Sequence, residues 1–267
     1  MTSADGVRLT VHERGAGPAV VAVHGYPDDH TVWDRTAELL ADRFRVVAYD
    51  VRGAGTSDHP AATAAYRMTH LVDDLVAVLD AVSPDAPVHL LGHDWGSCQC
   101  WAALTDDRLA GRIATFTSIS GPSLEYGAAW LRDLRGHPRD SARQLAHSYY
   151  VLVFQLPWLP ELAIRAGLLE RLARHRAAKS DQVAGLRLYR ANLRGGLRRP
   201  RPVPPGVRVQ VVVPDHDPFT TVPFAAESPR PWVSDLTVHR VADGHWVMRS
   251  RPELVAGLVA DFAGRPA

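Results

Sequence analysis

Pro87-Val88-His89-Leu90-Leu91-Gly92-His93-Asp94-Trp95-Gly96-Ser97 decides the architecture of this chain. An apolar run delivers the backbone to a small-x-acid-x-small turn, and a helix is expected to leave it through Ser97 to Thr105. A strand that turns straight into a helix crowds the positions two places either side of its apex, which is why Gly92 and Gly96 stand there. The apex is Asp94, where such turns usually carry serine. A serine must lose a proton as it attacks, and it suits acyl carbons. Aspartate is already ionised at neutral pH and can displace a leaving group from saturated carbon, leaving an alkyl ester on the chain.

On either side of this turn, strand-like and helix-like stretches alternate. Val7–Glu13, Ala19–Val23, Arg45–Tyr49 and Arg112–Ser118 read as strands, with helices at Thr31–Ala41 and Met68–Val82 between them. Such alternation predicts a mostly parallel sheet covered on both faces. After Ser120-Gly121-Pro122 the rhythm changes to helical stretches alone: Trp130–Leu134, Ala142–Leu156, Glu161–Ala178 and Asp181–Leu193. Strands return at Val207–Val213 and Leu236–Val241, and Pro252–Phe262 closes with a helix. The expected organisation is therefore a core of residues 1–122 and 202–267 with a helical cap of residues 123–201 over the sheet's carboxyl edge. Arg198–Pro205 is the stiff return linker.

An ester on Asp94 needs a base to activate water and donors for the tetrahedral oxyanion. Nucleophile turns of this kind are followed in the chain by an acid and then a histidine. His245, in Ala242-Asp-Gly-His-Trp246, is the candidate base. Two acids follow the strand Val207–Val213: Asp217, four residues past its last apolar residue and just before Pro218-Phe219, is favoured, and Asp215 is read as a turn residue. The expected oxyanion donors are the backbone amides of Trp95 and of Tyr26, in His24-Gly25-Tyr26-Pro27, since Pro27 has no N–H. His24 and His93 are read as structural.

Composition narrows the class. The 267 residues suit one large α/β domain with an insertion, and the formal net charge of +1 makes no case for nucleic acid. Cys98 and Cys100 lie two apart on the expected helix, on different sides of it, so two buried free thiols are expected rather than a disulfide or metal site. No metal or cofactor is expected. Neither a secretory leader nor an apolar run of membrane-spanning length is read, which makes a cytoplasmic location the expectation.

With these residues in place, the chain resembles the epoxide hydrolases of the α/β-hydrolase superfamily. The resemblance rests on His24-Gly25-Tyr26-Pro27, Asp50-Val-Arg-Gly-Ala-Gly-Thr-Ser57, Gly92-His-Asp-Trp-Gly96, Asp217-Pro-Phe219 and Gly244-His245-Trp246, and it spans essentially the whole length. It implies an eight-stranded sheet with an all-helical cap inserted after strand 6. It also implies opening of a small apolar epoxide to a vicinal diol by Asp94, Asp217 and His245. Two cap tyrosines hydrogen-bond the epoxide oxygen in this family. Leu188-Tyr189-Arg190-Ala-Asn192 matches the second. The first usually stands in a Tyr-Phe-Gln triplet, which is Val153-Phe154-Gln155 here, so Tyr150, one turn earlier, is the expected substitute. Phe116–Leu124, Ser148-Tyr-Tyr150 and Leu188–Asn192 are further similar to the hydrolase half of actinobacterial proteins in which a short-chain dehydrogenase follows. With the chain read to Ala267, no such second domain is expected, and the source is read as bacterial.

Two other readings compete. A haloalkane dehalogenase would use the same aspartate and the following tryptophan, but Tyr26 stands where a halide-binding amide side chain is usual. A catalytically impaired ligand-binding relative would fit the missing phenol at Val153, against an intact Asp94, Asp217 and His245. The arginines at 165, 171, 174, 176, 187, 190, 194, 198, 199 and 201 read as a solvated cap face, the alternative being a dock for an anionic substrate end or a carrier protein. Trp130, Phe154, Leu156 and Trp158 are expected mainly in packing. A homodimer is compatible with the sequence.

Overall fold

Alternate residues of the apolar runs separate onto two faces: Val21, Val23, Val47 and Tyr49 belong to one buried cluster, and Val20, Ala22, Val46 and Ala48 to another. Strand side chains alternate in this way, so the sheet is covered on both sides. The structure is a computed structural model that describes residues 1–133, 135–168, 170, 177–193 and 199–265. Its core elements are β1 (Val11–Arg14), β2 (Ala19–Val23), α1 (Asp34–Leu40), β3 (Arg45–Tyr49), α2 (Met68–Val82), β4 (Val88–His93), α3 (Trp95–Ala103) and β5 (Ile113–Ile119). Helices α4 (Leu124–Arg132), α5 (Pro138–His147), α6 (Tyr149–Gln155), α7 (Leu159–Arg165) and α8 (Lys179–Asn192) follow, before the sheet resumes. It does so with β6 (Arg208–Pro214), α9 (Val222–Glu227), β7 (Leu236–Val241), α10 (Val247–Ser250) and α11 (Pro252–Ala263).

The strand order is β1-β3-β2-β4-β5-β6-β7, antiparallel only between β1 and β3. Leu75, Val78 and Leu79 of α2 and Trp101 of α3 fill one face, whereas Leu40 of α1 and Val255 and Val259 of α11 fill the other. The register matters for the site. Val23 pairs with Gly92, His93 with Ile119, Ile119 with Val212, and Pro214 with Val241. Five parallel strands thus end level, and the loops after β2, β4, β6 and β7 open onto one edge. Crevices of α/β sheets form there.

The structure corrects several expectations. The sheet has seven strands, not eight. The N-terminal segment contributes only an isolated antiparallel bridge between Thr2 and Arg8, closed by a turn in which the Ser3 amide bonds the Val7 carbonyl. Consequently the helical insertion follows the fifth strand. The helix expected over 142–156 is two helices, interrupted at Ser148, whose hydroxyl accepts from the Gln144 amide. Trp130 is buried as expected, but Leu156 and Trp158 are exposed. Leu134 and residues 171–176 and 194–198 lie outside the described residues, and with them Arg171, Arg174, Arg176, Arg194, Arg198 and parts of the expected helices and linker. Cys98 and Cys100 are buried and free. Among the described residues, no helix is long and apolar enough to cross a membrane.

Candidate active site

The chain leaves β4 through Asp94 at φ 50°, ψ −122°. For a residue with a side chain this conformation costs about 1–3 kcal/mol and persists only where the surroundings enforce it. Here they do. A Cβ on Gly96 would overlap the carbonyl oxygens of Val23 and His24, and one on Gly25 would overlap the Asp94 side chain. The elbow and the loop after β2 are therefore pressed together, and the Tyr26 amide reaches Asp94 Oδ1 at 2.8 Å. The Trp95 amide, next in the chain, adds its pull on the same carboxyl group. Burial pushes the Asp94 pKa up to about 6, against the lowering pull of His245 and the two amides.

Behind this carboxylate lies the loop after β7. His245 is buried, with Nδ1 2.9 Å from Asp217 Oδ2 and Nε2 3.9 Å from Asp94 Oδ2. The second distance is too long for a hydrogen bond. Asp217 Oδ1 accepts from the amides of Phe219 and Thr220, at 2.8 and 3.2 Å. Desolvation would raise Asp217, but His245 and these amides outweigh it and hold the carboxyl below its usual range. For His245 the balance runs the other way: burial lowers its pKa, and the attraction of Asp217, the hydrogen bond to it and the charge on Asp94 together leave it raised. Asp215 faces elsewhere, bonded by Arg240 at 2.9 Å, which separates the two candidate acids.

In the layer beneath, His93 is structural as expected, whereas Asp28 was not singled out by the sequence. His93 Nε2 lies 3.1 Å from the His245 carbonyl, and burial, then His245, depress its pKa to about 3, so it stays neutral and donates. Asp28, buried, accepts from the Trp246 indole at 2.9 Å and from Arg249 at 2.8 Å. Both residues brace the histidine loop. Asp28 sits one residue past the His24–Pro27 motif, a signal too general to single it out. His24 is structural as expected: its Nε2 accepts from the Val51 amide at 3.0 Å.

The other wall comes from α6 and α8. The Tyr150 and Tyr189 rings meet edge to face, 5.9 Å between centroids, and burial, followed by neighbouring negative charge or phenol, pushes both pKa values up, so both hydroxyls stay protonated. The Trp95 ring also meets Tyr189 edge to face, 4.9 Å between centroids. Helix α8 can approach only because Gly185 has no side chain, since a Cβ there would overlap the Tyr26 ring. It is then pinned along its length: Asp181 Oδ2 accepts from the Gly55 amide, the Gln182 carbonyl from the Tyr26 hydroxyl, and Asn192 Oδ1 from the Met68 amide, at 2.7–2.9 Å. Arg190 bonds Glu161 and the carbonyls of Phe154 and Leu156, tying α6 and α7 to α8. The Tyr-Arg-x-Asn pattern is thus one phenol at the cavity with two anchors.

These residues enclose a cavity of about 340 Å³ with Asp94, His245, Tyr150 and Tyr189 in its lining, and with mainly apolar walls that include Val153, Phe154, Ile164 and Phe219. Of the seven residues expected in the site, Asp94, His245, Tyr150, Tyr189 and Tyr26 line the cavity, Asp217 lies behind it on His245, and Trp95 packs against Tyr189. A larger groove, about 580 Å³, runs between Asp73 and Arg201 and holds none of them. Among the described residues, one set of metal-type ligands lies close together: His12, His30 and Asp50, within 4.8 Å. It shares no residue with the cavity, and the Asp50 carboxylate already accepts from the amides of His30 and Thr56.

Comparison with known proteins agrees with the fold. A family model for the α/β hydrolase fold matches residues 18–149. The chain is 35% identical over 98% of its length to the probable oxidoreductase EphD of Mycobacterium tuberculosis, of which it covers 48%. It is 31% identical to epoxide hydrolase A of the same organism, over 70% of this chain and 58% of that one. The chain thus spans about half the length of the curated relatives it matches. An epoxide hydrolase structure from Bacillus megaterium superposes with a TM-score of 0.82 at 21% identity, covering 99% of each chain. At that identity, the superposition speaks for the fold alone.

Proposed function

The chain belongs to the α/β-hydrolase superfamily, and from that premise we propose that it is an epoxide hydrolase working through an ester on Asp94. One observation carries the reading: Asp94 Oδ1 is held by the Tyr26 amide at 2.8 Å while Oδ2 stands 3.9 Å from His245 Nε2, beside two protonated phenols. The oxygen already in the oxyanion site is the future carbonyl, and the other is the nucleophile. We take residues 123–201 as the cap and residues 1–122 and 202–267 as the core.

In the first half-reaction Oδ2 attacks an epoxide carbon from behind, the C–O bond breaks, and Tyr189 with Tyr150 hydrogen-bonds the departing oxygen. One phenol gives it a proton and regains one from solvent. The product is a hydroxyalkyl ester. Esterification removes the Asp94 charge that helps hold the His245 pKa up, so the imidazole becomes a neutral base as its step arrives. His245, oriented by Asp217, then takes a proton from water. The hydroxide adds to the ester carbon, the amides of Tyr26 and Trp95 hold the oxyanion, and collapse returns the proton and releases a diol. No step calls for a metal or cofactor.

Each phenol is expected to matter. Tyr189→Phe and Tyr150→Phe should each slow single-turnover ester formation by about 10- to 100-fold, because an alkoxide leaves poorly without a proton donor. A rate unchanged by Tyr150→Phe removes that residue from the site. The pH dependence follows from Asp94. With its pKa near 6, the ionised nucleophile disappears as pH falls, so ester formation should drop about tenfold per pH unit below that value. A rate that stays flat down to about pH 4 contradicts a carboxylate nucleophile in this environment.

The haloalkane reading loses support because a cap tyrosine, Tyr189, packs edge to face on the Trp95 ring, 4.9 Å between centroids, and halide chemistry needs no phenol there. Halide release from haloalkanes, measured beside diol formation, separates the two chemistries.

A further inference from the structure

Nine of the ten large apolar side chains exposed among the described residues stand between positions 145 and 168. Leu145 on α5, Tyr149 and Leu152 on α6 and Leu156 just past its end are all exposed. Helix α6 turns Tyr150 and Phe154 inward at the same time, so it is apolar on both sides. Trp158, 67% exposed, joins α6 to α7 in a left-handed conformation at φ 50°, which is costly for so large a residue. Helix α7 adds Leu159 and Leu162 to the outside. Scattered exposed leucines need no explanation, but a concentration of this kind marks an interaction surface.

Charge identifies the partner. Residues 123–201 carry 15 Arg and Lys against 6 Asp and Glu, a formal +9 in a chain whose total is +1. Arg139, Arg143, Arg165 and Lys179 are exposed and form no ion pair among the described residues. A second copy of this chain packed on this face would bring two sets of these exposed cations together. An anionic lipid surface answers both properties, since it takes apolar side chains at the headgroup boundary and attracts basic residues around them. Tyr149, Val153 and Leu168 are both exposed and part of the cavity lining, so the apolar face runs into the cavity mouth. We propose that the α5–α7 face docks on anionic bilayers and opens the cavity toward the lipid phase. The docking does not depend on the chemistry proposed for Asp94, and it is read without turnover.

The test is co-sedimentation of the full chain with phosphatidylcholine vesicles, with and without phosphatidylglycerol. Binding is expected only with phosphatidylglycerol, and it should weaken as salt rises. Leu152→Ser and Trp158→Ser, both outside the cavity lining, should each lower the partition coefficient about tenfold while the Tm stays unchanged. Arg139→Glu combined with Arg143→Glu should lower it by at least about tenfold. In the unaltered chain, brominated lipid should quench tryptophan fluorescence, and Trp158→Phe should remove that quenching. Absence of binding to phosphatidylglycerol vesicles overturns the proposal, as does binding indifferent to these substitutions. A dimer that ignores vesicles and is split by Leu152→Ser assigns the face to a second copy instead.

Discussion

Asp94→Asn leaves a folded protein that opens no epoxide, with turnover down by roughly 10⁴- to 10⁶-fold. Asparagine keeps the shape of the side chain and tolerates the left-handed φ of 50° at this position. What it removes is the charge that attacks. The same substitution should raise stability, and the sign follows from linkage. The Asp94 pKa rises from 3.8 to about 6 on folding, so ionising it costs the folded state free energy at any pH above that value. The cost is about 3 kcal/mol once both folded and unfolded forms are ionised, and it vanishes as pH falls below the unfolded value. Denaturant titrations at about pH 8 should therefore find the variant more stable, and the advantage should shrink toward about pH 4. A variant that keeps more than about 1% of the activity would end the proposal that Asp94 is the nucleophile.

His245→Gln has an equally large and more specific outcome. The first half-reaction does not use the imidazole as a base, so the ester should still form. Its hydrolysis loses the group that activates water, a loss of about 10²- to 10⁴-fold. The protein should then gain the mass of one substrate, carried by the peptide containing Asp94. In the unaltered protein, one turnover in ¹⁸O water should place the label in the Asp94 carboxylate, because the diol leaves with the original Oδ2. Label appearing in the diol during that first turnover would instead mean direct attack of water on the epoxide. His93, whose ring stands 4.6 Å from that of His245, is not expected to substitute, because it remains neutral and hydrogen-bonded to the His245 carbonyl.

The elbow was legible because its requirements are local. Gly92 meets a steric limit set by Ser97, a few residues away, although the limit on Gly96 comes from the end of β2; the runs Ala19–Val23 and Arg45–Tyr49 coincide with β2 and β3 because buried parallel strands are continuously apolar. His245 and Asp217 could be picked out because each follows a strand at a short, regular distance. The braces were not. Asp28 and Gly185 act across contacts between residues far apart in the chain, and nothing in their immediate neighbours distinguishes them. The exposure of Leu156 and Trp158 was misread for a related reason: periodicity tells which residues share a face, but not whether anything covers that face.

By itself, the order of residues determined a parallel sheet, an acidic apex at its centre, and a helical insertion before the last strands, since steric demand and hydrophobic period act over a few residues at a time. Only the tertiary structure decided which oxygen of Asp94 lies in the amide pocket, which of Asp215 and Asp217 meets His245, and whether Tyr150 joins Tyr189 at the cavity. Those outcomes depend on strand register and on how closely α8 can approach Tyr26, distances set by packing between segments more than a hundred residues apart.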